Sequence, residues 1–255
     1  MGKIYGGVSG TAREVKAIYA GVGGVAKAVK KVYVGVNGVA KLIWEKSGGG
    51  AILPDAYQQV EWIGTTDASN NTPYIDTGVQ VSVTSGGNKM RVTMTMEWNS
   101  IVNNARLFGA RNGSTRFSFG YFNNGWGFGY GGNYTNNGAA VIDQKYDLDM
   151  SFITGNHKLK VDGNDKVTAT WSSNVNIAKN CYLFRHNYSS AWFPCNAKIY
   201  ACKIYVNDEL VRDFYPCYRK SDNVAGMYDM KGTGFYPNAG STGTFAIGND
   251  YIGPL

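Results

Sequence analysis

Long apolar runs are missing from this 255-residue chain: no 18 consecutive apolar residues occur, so no membrane insertion is expected. The amino terminus also lacks the charged, then apolar, then small-residue order of a secretory signal, which predicts a soluble product made in the cytoplasm. Charge is sparse at 17%, whereas aromatic residues reach 14% and glycines number 34. A disordered chain shows the opposite balance, so this composition describes short strands joined by tight turns. Histidine is limited to His157 and His186, and Cys181, Cys195, Cys202 and Cys217 form no Cys-x-x-Cys pair. Zinc is therefore not expected, and the strand-like neighbours of the cysteines predict buried free thiols, with a disulfide as the alternative.

Catalytic signatures are lacking as well. The chain has no Gly-x-Ser-x-Gly elbow, no His-Glu-x-x-His helix and no phosphate-cradling Gly-Lys-Ser/Thr loop. Glu61 and Glu97 stand isolated beside Trp62 and Trp98, and Glu209 adjoins a turn, so the close acid pair of a glycoside hydrolase does not form. The expectation is a protein that performs no catalysis. Asp147-Leu148-Asp149 puts two carboxylates on one strand face, where calcium would bind, but no oxygen-rich loop accompanies them. No cofactor or metal is expected.

What is present is divided unevenly. Of the net charge of +7, residues 1–46 supply +6, from Lys3, Arg13, Lys16, Lys27, Lys30, Lys31, Lys41 and Lys46 against Glu14 and Glu45. A basic patch confined there suits an acidic partner or a solvated strand face; nucleic acid is not expected as a partner. The same segment holds three gapless fourteen-residue units, 4–17, 18–31 and 32–45. Each has Tyr second (Tyr5, Tyr19, Tyr33), Gly-Val fourth and fifth, and then a turn dipeptide, Ser9-Gly10, Gly23-Gly24 or Asn37-Gly38. Such dipeptides tolerate positive φ at both positions and fit hairpin turns. Lys27 and Lys41 recur after the turns. Each unit is one long strand in a meander or two short strands; the residues alone leave both open. Three such units cannot enclose a core, so the segment is expected to anchor or oligomerise the chain, with Tyr5, Tyr19, Tyr33, Lys27 and Lys41 as anchoring residues and a homotrimer as the expected assembly.

Residues 47–52 contain Ser47-Gly48-Gly49-Gly50 and read as a linker before a large domain, 53–255. That domain shows short aromatic and β-branched runs between Gly, Asn, Asp and Ser clusters, the pattern of an all-β sandwich or jelly roll. Predicted strands include 89–98, 116–122, 125–130, 157–161, 166–171, 181–186, 198–206 and 209–215. Asn207-Asp208 and Asp162-Gly163 each separate two such runs and predict hairpins.

Several stretches in fixed order resemble a group of phage and prophage proteins that carry a concanavalin-A-like, laminin-G-like jelly roll. They are Leu53-Pro54-Asp55-Ala56-Tyr57 with Val60-Glu61-Trp62-Ile63, Tyr74-Ile75-Asp76-Thr77-Gly78, Leu107-Phe108-Gly109-Ala110-Arg111, Ile199 to Tyr205, Leu210 to Cys217, Gly226-Met227-Tyr228-Asp229 and Phe235 to Gly240. The Tyr-x-Gly-Val-x-Gly repeat is similar to one near the ends of phage virion proteins. The resemblance implies a virion-surface protein of the tail, a fibre or a head decoration, held to other virion proteins by residues 1–46 and displaying a jelly roll toward host-cell glycans. A purely structural fibre or decoration protein is the alternative. The resemblance carries no binding residue across.

Candidate ligand residues therefore come from chemistry. Sugars are held by aromatic faces with amides or Arg beside them. Residues 122–134 interleave these types with glycine, which nominates Trp126, Tyr130, Tyr134, Asn124 and Asn133, with core packing as the alternative. A second group, Arg185, His186, Tyr188 and Trp192, follows an apolar strand in an expected loop.

Overall fold

The computed structural model describes the backbone of residues 5–8, 11–14, 18–22, 25–29, 31–36 and 39–45, and residues 53–69, 71–189 and 193–251 with their side chains. The chain divides into two units, 1–52 with 252–255, and 53–251. The predicted linker, 47–52, lies outside the described residues.

In the first unit six strands form three separate antiparallel hairpins. They pair β1 (Tyr5–Val8) with β2 (Thr11–Glu14), β3 (Ile18–Val22) with β4 (Val25–Val29), and β5 (Lys31–Val36) with β6 (Val39–Glu45). Registers Val8↔Thr11, Val22↔Val25 and Val36↔Val39 leave two residues for each turn, so a repeat unit is two short strands and not one long one. Tyr5, Tyr19, Tyr33, Lys27 and Lys41 lie on these strands.

The second unit is an all-β jelly-roll sandwich of two antiparallel sheets. Its strands are β7 (Tyr57–Gln59), β8 (Ile63–Gly64), β9 (Ile75–Val83), β10 (Met90–Ser100), β11 (Arg106–Asn112), β12 (Thr115–Phe122), β13 (Gly125–Gly131), β14 (Asn133–Asn137) and β15 (Lys145–Phe152). They continue as β16 (His157–Val161), β17 (Asn164–Ala169), β18 (Val175–Leu183), β19 (Asn196–Val206), β20 (Glu209–Arg219), β21 (Val224–Asp229), β22 (Gly234–Pro237) and β23 (Ala246–Ile247). One sheet runs β17-β16-β15-β10-β19-β20-β21-β22, with β7, β8 and β23 paired at its side; the other runs β14-β13-β12-β11-β18-β9.

Period-two alternation builds the core. Met90, Val92, Met94, Met96 and Trp98 of β10 point inward while Arg91, Thr93, Thr95 and Glu97 point out. Opposite them, β12 and β13 set Phe117 against Tyr130, Phe119 against Phe128 and Tyr121 against Trp126 as cross-strand pairs. The layers meet through these rings: Phe117 lies 4.0 Å from Phe152, Trp126 5.0 Å from Tyr146 and 5.8 Å from Trp98, centroid to centroid. Each aromatic cross-strand pair adds about 0.2–1 kcal/mol beyond an alanine pair. In β19 the buried set switches from Ala197 and Ile199 to Cys202 and Ile204 because Tyr200 is bulged out of register with β10.

Both predicted hairpins form. Asn207 and Asp208 sit at φ 53° and 66° between Val206 and Glu209, and Asp162 and Gly163 at 51° and 79° between Val161 and Asn164. All four cysteines are free and buried, as expected, and burial raises every thiol pKa, Cys217 to about 12.

Candidate functional site

The outer face of the β14-β13-β12-β11-β18-β9 sheet holds a cleft of about 230 Å³ lined by three arginines. Its geometry follows from strand register. On β12, Phe117, Phe119 and Tyr121 go to the core, so Arg116, Ser118 and Phe122 face out. Ser118 pairs with Gly129 and Phe122 with Gly125, so no side chain of β13 fills the space beside them. A Cβ on Gly129 would come within 2.8 Å of Arg116 Cδ, which gives that glycine a packing reason. Arg111 is the direct cross-strand partner of Arg116, and Arg106 stands at the other end of β11.

Residues 184–189 and 193–195 flank the cleft on one side. They are fixed to β11 by main-chain hydrogen bonds: Phe184 N to Leu107 O at 2.9 Å, Asn187 N to Gly109 O at 3.0 Å, Arg111 N to Asn187 O at 2.9 Å and Arg106 N to Phe193 O at 3.0 Å. The rim comprises Tyr134, 52% exposed, with Asn104 and Asn123, while the buried His186 lines the cleft from within.

The three guanidiniums are positioned by rings and carbonyls. Arg106 lies 3.4 Å from the Phe122 ring centroid and 5.3 Å from that of Phe193; Arg111 stacks on Tyr188 at 4.4 Å and donates to Gly113 O at 2.8 Å; Arg116 is 5.7 Å from the Tyr134 ring. Among the described residues none of the three has an ion-pair partner. Burial first, then Arg116 and Arg111, lowers the Arg106 pKa to about 9, which still leaves it a cation at neutral pH. Arg116 is lowered by burial and by Arg111. Arg106 Nε and Ser118 Oγ are buried without hydrogen-bond partners among the described residues.

The predicted ligand residues are scattered by this geometry. Trp126 and Tyr130 are corrected: they are 1% and 0% exposed because the alternation that makes them share a face turns that face to the core. Tyr130 OH donates to Ser173 O at 2.7 Å. Tyr134 and His186 do line the cleft, and Tyr188 supports it from beneath Arg111. Asn124 is a turn residue at φ 63°, and Asn133 is exposed at the start of β14; neither lines the cleft. Arg185 is buried over the Tyr74 ring at 3.5 Å, away from it. Trp192 lies outside the described residues.

Arg106, Arg111, Arg116 and Ser118 were not anticipated, although a signal exists. Between Glu97 and Asp143 the only charged residues are these three arginines. The opposite sheet differs. There Asp149 takes a two-pronged bond from Arg91, 2.8 Å at each contact, and Asp147 accepts from Thr95 at 2.7 Å. The acids considered for calcium are thus engaged in the sheet, and among the described residues no group of three or more His, Cys, Asp or Glu converges on a metal position. Lys198 pairs with Glu97, and Lys203 with Asp213 at 3.5 Å.

No family model matches the sequence, and no curated protein matches it. Solved structures are similar in fold. Domains LG4-5 of the mouse laminin α1 chain match with 14% identity and a TM-score of 0.46, over 64% of this chain and 47% of that one. A Trypanosoma rangeli sialidase variant displaying trans-sialidase activity matches with 17% identity and a TM-score of 0.40, over 49% of this chain and 22% of that one. An alginate lyase of polysaccharide lyase family 7 matches with 11% identity and a TM-score of 0.34, over 50% of this chain and 62% of that one. The chain spans less than two thirds of each of these structures, and likeness at this level carries no activity or residue role across. One expectation is corrected here: the sequence pointed to a protein without catalysis, whereas the similar structures include sialidases and an alginate lyase, which are enzymes. The expectation is withdrawn. Among the described residues no helix is long and apolar enough to cross a membrane.

Proposed function

We propose that the sandwich binds a glycan in the arginine-lined cleft, and that the chain displays this site on a virion surface. The observation that carries the binding reading is the cleft itself: three guanidiniums beside an exposed tyrosine face and two asparagine amides, without a carboxylate among its lining residues. An aromatic plane suits the C–H face of a sugar, and Arg and Asn donors suit its oxygens. Binding residues carried by strands and by a loop tied to a rigid sheet need little ordering before contact.

The virion setting rests on the ordered motifs of residues 53–240 and on the fourteen-residue repeat. In this reading residues 1–46 join other virion proteins, as a homotrimer, through the hairpins that bear Tyr5, Tyr19 and Tyr33. The experiment is a glycan array probed with the full chain. Saturable binding to bacterial-surface glycans that is lost in Arg116→Ala and Tyr134→Ala supports the reading. Silence across acidic and neutral glycans contradicts it and leaves a structural fibre or decoration protein.

A further inference from the structure

We infer that the glycan is acidic, its sugar carrying an oxyanion that sits among Arg106, Arg111 and Arg116. The inference rests on the binding reading above and narrows its ligand. Arg111 and Arg116 are opposite one another across β11 and β12, a register in which like charges repel. On the other sheet, Arg91 with Asp149, Lys158 with Asp165 and Lys203 with Asp213 are opposite-sign pairs. In the cleft three cations stand together with no acid among the lining residues.

Two inner groups point to the same chemistry. Arg106 is 8% exposed and Ser118 1% exposed, and both carry an unpartnered polar atom among the described residues, Arg106 Nε and Ser118 Oγ. Buried polar groups are nearly always hydrogen-bonded, so an unpaired donor lining a cleft marks a place for an acceptor from outside. A guanidinium and a hydroxyl together suit a carboxylate or a sulfate ester, both planar-edged or multi-oxygen acceptors with delocalised negative charge. Tyr134, 52% exposed at the rim, is placed to lie against a neighbouring sugar of the same chain.

The test is calorimetric titration of the full chain with three probes: trigalacturonate, neutral galactotriose, and galactotriose carrying sulfate esters. Binding of either acidic probe at least tenfold tighter than galactotriose, weakening as salt rises, supports the inference, and the preferred probe identifies carboxylate or sulfate as the source. Arg106→Gln and Arg111→Gln should each reduce that affinity about tenfold or more, the cost of one charge-assisted contact. Lys160→Gln, on the opposite sheet, should leave it unchanged. Arg111 is only partly buried, so Arg111→Gln keeps the test valid if Arg106→Gln does not fold. Equal binding of galactotriose, lost in Tyr134→Ala but retained in Arg111→Gln, overturns the inference while the glycan reading stands. If no saccharide binds here or on the array, the glycan reading itself falls.

Discussion

Arg116 shows how a single residue divides stability from binding. Its charge faces Arg111 across two strands and Arg106 nearby, and nothing acidic among the described residues offsets the repulsion. Arg116→Gln should therefore stabilise the fold by ~0.5 kcal/mol, or ~1–2 °C in Tm, while weakening glycan binding. A calorimetric melt and a titration on the same sample check both signs; a destabilised variant would show that the arginine serves the fold. His157 is the corresponding case in the core. It is fully buried, its Nε2 lies 2.9 Å from Trp171 O, and burial lowers its pKa from the ordinary 6.5. Above that value both folded and unfolded chains hold it neutral. As pH falls through about 6.5, the unfolded chain takes up a proton that the folded chain resists, so stability declines until the lower folded pKa is passed. Melts from pH 8 to pH 5 should show that decline, and a His157→Gln variant should lose the part of the slope due to this residue.

At the scale of strands, β12 and β13 form a two-sided element: aromatic rings fill the inner face, while arginine, serine and glycines shape the outer one. Trp126→Ala should cost about 3–5 kcal/mol, because it opens a cavity between Trp98 and Tyr146. Thermal unfolding checks this, and a near-normal Tm with selective loss of binding would restore Trp126 as a ligand residue. The distinction shows what was legible in the sequence. Asn207-Asp208, Asp162-Gly163 and the repeat dipeptides announced hairpins because turn chemistry is local. Alternation likewise placed Trp126, Phe128 and Tyr130 on one face, but parity does not say which face meets the core. In β11 the stretch Leu107 to Arg111 carried the resemblance but no alternation, because Leu107 and Phe108 are both buried at a register shift. The arginine cleft escaped because it exists only once β11 pairs with β12 and Phe184, Asn187 and Phe193 bond to β11.

The whole molecule joins a sandwich with one charge-paired face and one cationic cleft to a basic set of three hairpins. Deleting residues 1–46 should abolish incorporation into particles while near-ultraviolet circular dichroism of the remaining chain stays that of a packed aromatic core; normal incorporation would remove the anchoring role. Acidic-glycan binding by the sandwich is tested most directly by titrating nitrogen-15 labelled full-length chain with trigalacturonate. Saturable shifts concentrated in β11, β12, Tyr134 and residues 184–189 and 193–195 are the expected result. Shifts confined to β10, β15 and β16, or to residues 1–46, would contradict it.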